Sequence, residues 1–272
     1  ANMAIVVGGA GFLGSSILRR ASLGGMTPIS IDFKESKDAL WNVIIKRDQS
    51  LQEQGKEALA GLRAMPGGGL GFDGSMAGLL CSAAGSWMGG GLSVPPPLPS
   101  NRDQMQALKK MEGKGNQFEE YDAEHQGGLL GQADHMWKAN TSSAFLTCHL
   151  ARLCLGQRGM LVLVGAQAAS GPCSTMLAYG ASKAAVHHLV GSVALTEVAV
   201  EKEWSVAGIL PSMIDTPLNR EFIADADFTS WTKPDDIADK CFEWTKDEEK
   251  RIPQGQLLQA ITSNNITTWT AL

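Results

Sequence analysis

The chain has 272 residues, a formal net charge of -5, 44% hydrophobic and 19% charged residues, enough to bury a sizeable core in a globular rather than a disordered protein. The mild acidity counts against nucleic acid or an anionic membrane surface as the main partner. Five scattered cysteines without a CxxC pair count against a disulfide framework or a zinc site and suit a reducing compartment.

Residues 3–7 (MAIVV) are an apolar run too short for a helix and bounded by glycines, which predicts a buried strand. Leu13, Ile17 and Leu18 then recur at helical spacing, predicting a helix over 12–22. Between the two lies GGAGFLG, with Gly8, Gly11 and Gly14 spaced GxxGxxG. Such a backbone can turn tightly against a pyrophosphate, to which the helix start offers free N–H groups and the positive end of its dipole. Strands follow at 27–32 and 42–45. Asp32 closes the first of these, 18 residues after Gly14. A carboxylate there accepts ribose hydroxyls and repels a 2′-phosphate, which favours NADH over NADPH. Lys34 and Lys37 offset part of that repulsion, so NADPH stays open. Asp48, after the third strand, reads as an adenine contact or a solvated loop acid.

A polar helix over 49–62 carries leucines at 51, 59 and 62, and a strand is predicted at 77–81. The glycine-dense stretch 64–74 and the segment 89–128, which opens with a Gly-Gly-Gly and a Pro-Pro-Pro run, read as surface insertions. The triple proline reads as a tolerated loop rather than a partner-binding element. Further on come a helix over 133–155, a strand at 160–164, a helix over 178–200, and strands at 206–210 and 257–261. Strands alternating with helices imply one α/β domain over 1–272. Its mostly parallel, doubly wound, Rossmann-type sheet carries helices on both faces and binds ligands beyond the strand carboxyl ends. With no basic leader and no 18-residue apolar run, the chain reads as cytoplasmic.

Tyr179 and Lys183 form YxxxK, and i,i+4 spacing sets both on one helix face. An ammonium beside a phenol is expected to lower the tyrosine pKa from near 10, fitting it to donate or accept a proton. His187 and His188 stand at no metal-ligand spacing, so no metal is expected, and Trp137, Trp231, Trp244 and Trp269 read as packing residues.

Together, the glycine turn, the YxxxK helix and the alternating frame resemble the short-chain dehydrogenase/reductase family over nearly the whole chain. The resemblance implies NAD(P)H-dependent oxidoreductase activity. It assigns cofactor contacts to Phe12 and Leu13 beside the glycines, and to Ala83 in CSAAG (81–85), which replaces an NNAG-like turn. It also assigns cofactor contacts to Pro211, Met213, Ile214 and Thr216, and the nicotinamide ribose to Lys183. Asn140 matches the family's helix asparagine, holding a water in a proton relay, with helix-end packing as the alternative. The family's strand-end serine belongs 13 residues before Tyr179, where this chain has Ala166.

Stretches at 81–87, 135–138, 165–169, 179–187, 210–220 and 225–232 (DADFTSWT) are similar to a branch of the family that reduces quinonoid dihydropterins and itself carries alanine at that position. That similarity implies a small-molecule pterin substrate, Tyr179 as proton donor and Ala166 at the substrate. Trp87 would stack on the pterin or serve as a rim or core tryptophan. Asn140 and the two insertions depart from that branch. The rival readings are a short-chain reductase of a quinone, imine or carbonyl, and a non-catalytic dinucleotide-binding regulator. Intact Tyr179, Lys183 and Asn140 speak against the regulator. The helices over 133–155 and 178–200 carry Phe145, Leu146, Val186, Leu189, Val190 and Val193. The family pairs such helices across a two-fold axis, implying a homodimer; a buried intrachain layer is the alternative.

Overall fold

A computed structural model describes residues 3–66, 77–85, 129–174 and 176–272. Strand β1 (Met3–Val7) leads through the glycine turn into α1 (Phe12–Leu23), followed by β2 (Thr27–Asp32), β3 (Trp41–Ile44), α2 (Leu51–Arg63) and β4 (Ala77–Ser82). Then come α3 (Leu129–Met136), a π-helical turn (Trp137–Ser142), α4 (Ser143–Cys154), β5 (Leu155–Val164), a 3-10 turn (Gln167–Ala169) and α5 (Leu177–Ala194). The chain ends with α6 (Glu197–Glu201), β6 (Ser205–Pro211), α7 (Pro217–Phe222), α8 (Pro234–Lys246), β7 (Leu257–Ser263) and β8 (Ile266–Ala271).

The eight strands form one sheet in the order β3-β2-β1-β4-β5-β6-β7-β8, parallel throughout except for β8 against β7. Strand alternation sends Ile5 and Val7 to one face, beside Leu62 of α2, Leu150 of α4 and Val190 of α5. Ala4 and Val6 face the other layer, with Ile17 of α1 and Trp244 of α8. The sequence thus produces the doubly wound α/β arrangement that its alternation implied. The order reverses between β1 and β4, so a crevice opens beyond their carboxyl ends, where ligands bind in such sheets.

Several elements differ from the sequence expectation. The helix expected over 133–155 starts earlier, passes through the π turn and gives way to β5 at Leu155. Strand β5 is ten residues long rather than five, because a bulge around Arg158 (φ 57) lets it pair again with β4 at Met160. The helix expected over 178–200 breaks at Leu195, where Thr196 is extended and its hydroxyl caps the Ala199 N–H to start α6. Residues 67–74 of the first expected insertion, and all of 89–128, lie outside the described residues.

Candidate active site

The crevice is built first by backbone. Gly8 has φ +87, and a Cβ on it would sit 2.4 Å from the Ala84 nitrogen. A Cβ on Gly14 would sit 2.1 Å from the Gly8 carbonyl oxygen. These glycines therefore close the turn under β4, whose following residues Ala83 and Ala84 both donate N–H groups to the Val7 carbonyl. Around Gly11 the nearest atom to such a Cβ is 3.4 Å away, which leaves room for a ligand. Gly11 is also the N-cap of α1 and makes no side-chain cap hydrogen bond, and the first turn carries no acidic residue. An uncapped helix start behind an open glycine fits a dinucleotide pyrophosphate. Phe12 is exposed beside it, whereas Leu13 packs into the core and offers this site only backbone.

Asp32 ends β2, where its carboxylate accepts the Ala10 N–H at 2.9 Å and the Phe33 N–H at 2.6 Å. The acid is thereby tied to the glycine turn, with acceptor capacity left for a ribose. Asp48 is exposed in the turn between β3 and α2, at the same carboxyl edge of the sheet.

Lys183 and Asn140 converge below Gly85, and a hydrogen-bond chain joins Asn140 through Ser182 to the Tyr179 backbone. Lys183 is 5% exposed and donates from Nζ to the Val164 carbonyl at 2.8 Å. Burial lowers its pKa to about 8. Asn140, 1% exposed, sits in the π turn and donates to Ser182 Oγ at 3.0 Å. Ser182 in turn donates to the Tyr179 carbonyl at 2.8 Å, and Thr141 Oγ1 donates to the Ser182 carbonyl at 3.1 Å. A Cβ on Gly85 would lie 2.9 Å from Asn140 Oδ1 and 3.3 Å from Lys183 Nζ, so the altered turn after β4 reaches the same cluster. One expectation is reversed here. Burial, with Cys173 nearby, pushes the Tyr179 phenol above its ordinary value rather than below it. Desolvation of the phenolate is the largest cause, while Lys183 is engaged with the Val164 carbonyl.

Ala166 follows β5 and is buried, 2% exposed. Its N–H donates to Nε2 of His187 at 3.1 Å. Sequence reading passed over His187, although it continues the Tyr179–Lys183 face at i+8. Trp87 lies outside the described residues.

Pro211, which ends β6, and Met213 beyond it are buried, and Ile214 and Thr216 partly so. The Thr216 hydroxyl is engaged as the N-cap of α7, accepting from Asn219 N–H. The Asn219 side chain donates to the Ile214 carbonyl at 2.7 Å. The DADFTSWT run supplies the rest of the hold. Thr232 donates its N–H to the Met213 carbonyl and accepts the Asp215 N–H, both at 2.8 Å, while Trp231 is buried edge-on to Phe228. Arg220 pairs with both Asp215 oxygens and lies over the Phe228 ring. Thr232 Oγ1 meets Thr262 Oγ1 on β7, which meets Thr267 on β8, which donates to Asp236 at the start of α8.

None of the five cysteines is in a disulfide. Among the described residues, no three His, Cys, Asp or Glu side chains group as a metal site would, and no helix is long and apolar enough to cross a membrane.

The chain is similar in sequence and in fold to known oxidoreductases. A family model described as short chain dehydrogenase matches residues 128–227. A dihydropteridine reductase of Dictyostelium discoideum is 31% identical over 268 residues, covering 98% of each chain. Among solved structures, a 3-ketoacyl-(acyl-carrier-protein) reductase of Brucella melitensis complexed with NADH has a TM-score of 0.64 at 16% identity, covering 98% of this chain and 99% of that one. A short chain dehydrogenase family protein of Francisella tularensis has a TM-score of 0.63 at 19% identity, covering 95% and 96%. At those identities, the structural likeness speaks for the fold.

Proposed function

Because the chain belongs to the short-chain dehydrogenase/reductase family, we propose that it is an NADH-dependent reductase of quinonoid dihydropterins with the tetrahydropterin as product. The observation that carries the substrate is the full-length similarity to a dihydropteridine reductase. Ala166 in the family's serine position supports the same reading.

The glycine turn and the start of α1 hold the pyrophosphate, and Asp32 receives the ribose hydroxyls and disfavours a 2′-phosphate. When bound, the nicotinamide supplies the hydride. Tyr179 supplies the proton; its burial keeps the phenol protonated until charge develops on the pterin. Lys183, still mostly charged at neutral pH with a pKa of about 8, stabilises the phenolate left behind. Carbonyl reduction builds a localised alkoxide that benefits from a second donor. A quinonoid pterin instead spreads the incoming charge over ring nitrogens and oxygen, so one donor suffices and alanine is tolerated.

The protein acts as a cytoplasmic homodimer in this reading. Leu146, Val186 and Val190 are absorbed by the intrachain core, with Leu189 and Val193 packed against it. Phe145 is 45% exposed and Leu153 stands two turns along the same α4 face, the apolar surface that a second copy would cover.

The test is NADH oxidation by the purified protein with freshly generated quinonoid dihydrobiopterin, repeated with NADPH. Pterin-dependent oxidation, faster with NADH, is expected. Oxidation only with a ketone, imine or quinone reassigns the substrate, and NADH binding without oxidation by any acceptor favours a regulator.

A further inference from the structure

Where β5 leaves the sheet, its backbone groups must find new partners. Gly165 still donates to the Ile209 carbonyl of β6 at 2.8 Å. The two neighbouring groups turn instead toward α5: the Val164 carbonyl accepts from Lys183 Nζ at 2.8 Å, and the Ala166 N–H donates to His187 Nε2 at 3.1 Å. Tyr179, Lys183 and His187 recur at i, i+4 and i+8, so one helix face presents phenol, ammonium and imidazole in a row. The intervening glycine makes this possible. A Cβ on Gly165 would lie 2.4 Å from His187 Nε2 and 2.4 Å from Leu210 Cδ2, so any side chain there would expel the imidazole.

We propose that His187 is a positioning residue: its imidazole fixes the Ala166 amide and, with Lys183, clamps the end of β5 against the helix that carries Tyr179. An Nε2 that accepts requires the neutral ring with its proton on Nδ1. That state is enforced, since burial and then the Lys183 charge lower the His187 pKa to about 4. In place of a serine hydroxyl acting on substrate, this chain holds the same strand end by its backbone. The function of the clamp rests on the reductase reading above; the clamp itself does not.

Glutamine at 187 can place Oε1 as many bonds from Cα as Nε2, whereas asparagine falls one bond short. The experiment compares the parent, His187→Gln and His187→Asn by residue-resolved exchange of the Ala166 amide, NADH affinity by fluorescence, and kcat and KM with quinonoid dihydropterin. His187→Asn is expected to speed Ala166 exchange and lower kcat roughly tenfold or more through misplacement of reacting groups, with glutamine restoring both. Parental kcat in His187→Asn, or glutamine no better than asparagine, overturns the proposal. If the parent does not turn over pterin, the substrate reading fails. Ala166 exchange and NADH affinity then decide, and equality of parent and His187→Asn in both overturns the clamp. Should His187→Asn fail to fold, His187→Leu, which keeps bulk and has no acceptor, takes its place.

Discussion

Lys183 is a buried amine within the candidate site. Its ammonium is buried at 5% exposure, and burial lowers its pKa from 10.5 to about 8. At 1.36 kcal/mol per pKa unit, that depression corresponds to about 3 kcal/mol of unfavourable burial of the charged form. Between pH 8 and 10.5 the unfolded chain holds this proton while the folded chain has released it, so the lysine's cost falls as pH rises through that window. Lys183→Met removes the cost at every pH. It also orphans the Val164 carbonyl, which loses a 2.8 Å hydrogen bond and costs about 1–3 kcal/mol. At pH 7 the two terms nearly offset, and the variant should be equal to the parent or up to about 2 kcal/mol more stable. Above the window only the lost hydrogen bond remains, and the variant should be less stable than the parent. Urea unfolding of both proteins, without cofactor, at pH steps from 7 to 11 measures the difference, in which the other titrating groups largely cancel. A stability difference that stays flat with pH would refute the burial of a charged lysine at this site.

Replacing Tyr179 by Phe removes the proposed proton donor and should lower kcat by about 10²–10⁴, with NADH affinity in a fluorescence titration unchanged; near-parental turnover sinks its role. Gly14→Ala places a Cβ 2.1 Å from the Gly8 carbonyl oxygen, so the turn must open. NADH binding should weaken by roughly tenfold or more, about 1.4 kcal/mol, as read by the same titration. Trp244 is a large side chain fully buried between α8 and the sheet. Its replacement by Ala should cost about 3–5 kcal/mol in urea unfolding, while kcat per folded molecule stays near that of the parent.

The sheet was legible, and the groups of the candidate site stood out, because both rest on local patterns: an apolar run before glycines, an acid at a strand end, and two side chains one helical turn apart. Some misses had signals that went unread. Asn264 and Asn265 both take positive φ (51 and 62), which makes the two-residue hairpin turn between β7 and β8. Lys233-Pro234-Asp235-Asp236 carries a proline at the helix start and acids in the first turn, the usual opening of a helix, and α8 begins there. Others had no local signal. That the Tyr179 phenol is pushed up depends on how much of the chain surrounds it, and no spacing along the helix reports desolvation. His187 looked inert because its partner is a backbone amide 21 residues away. Asn140, in the π turn, likewise bonds to Ser182, 42 residues on.

The hydroxyl chain from Thr232 through Thr262 and Thr267 to Asp236 joins the loop beyond β6 to the outermost hairpin of the sheet. Pulling the loop away breaks this buried hydroxyl chain, which couples the opening of the loop to the hairpin. The loop that carries Met213, Ile214 and Thr216 is therefore braced by the hairpin of β7 and β8, four strands along the sheet from β1 and its Gly8 turn.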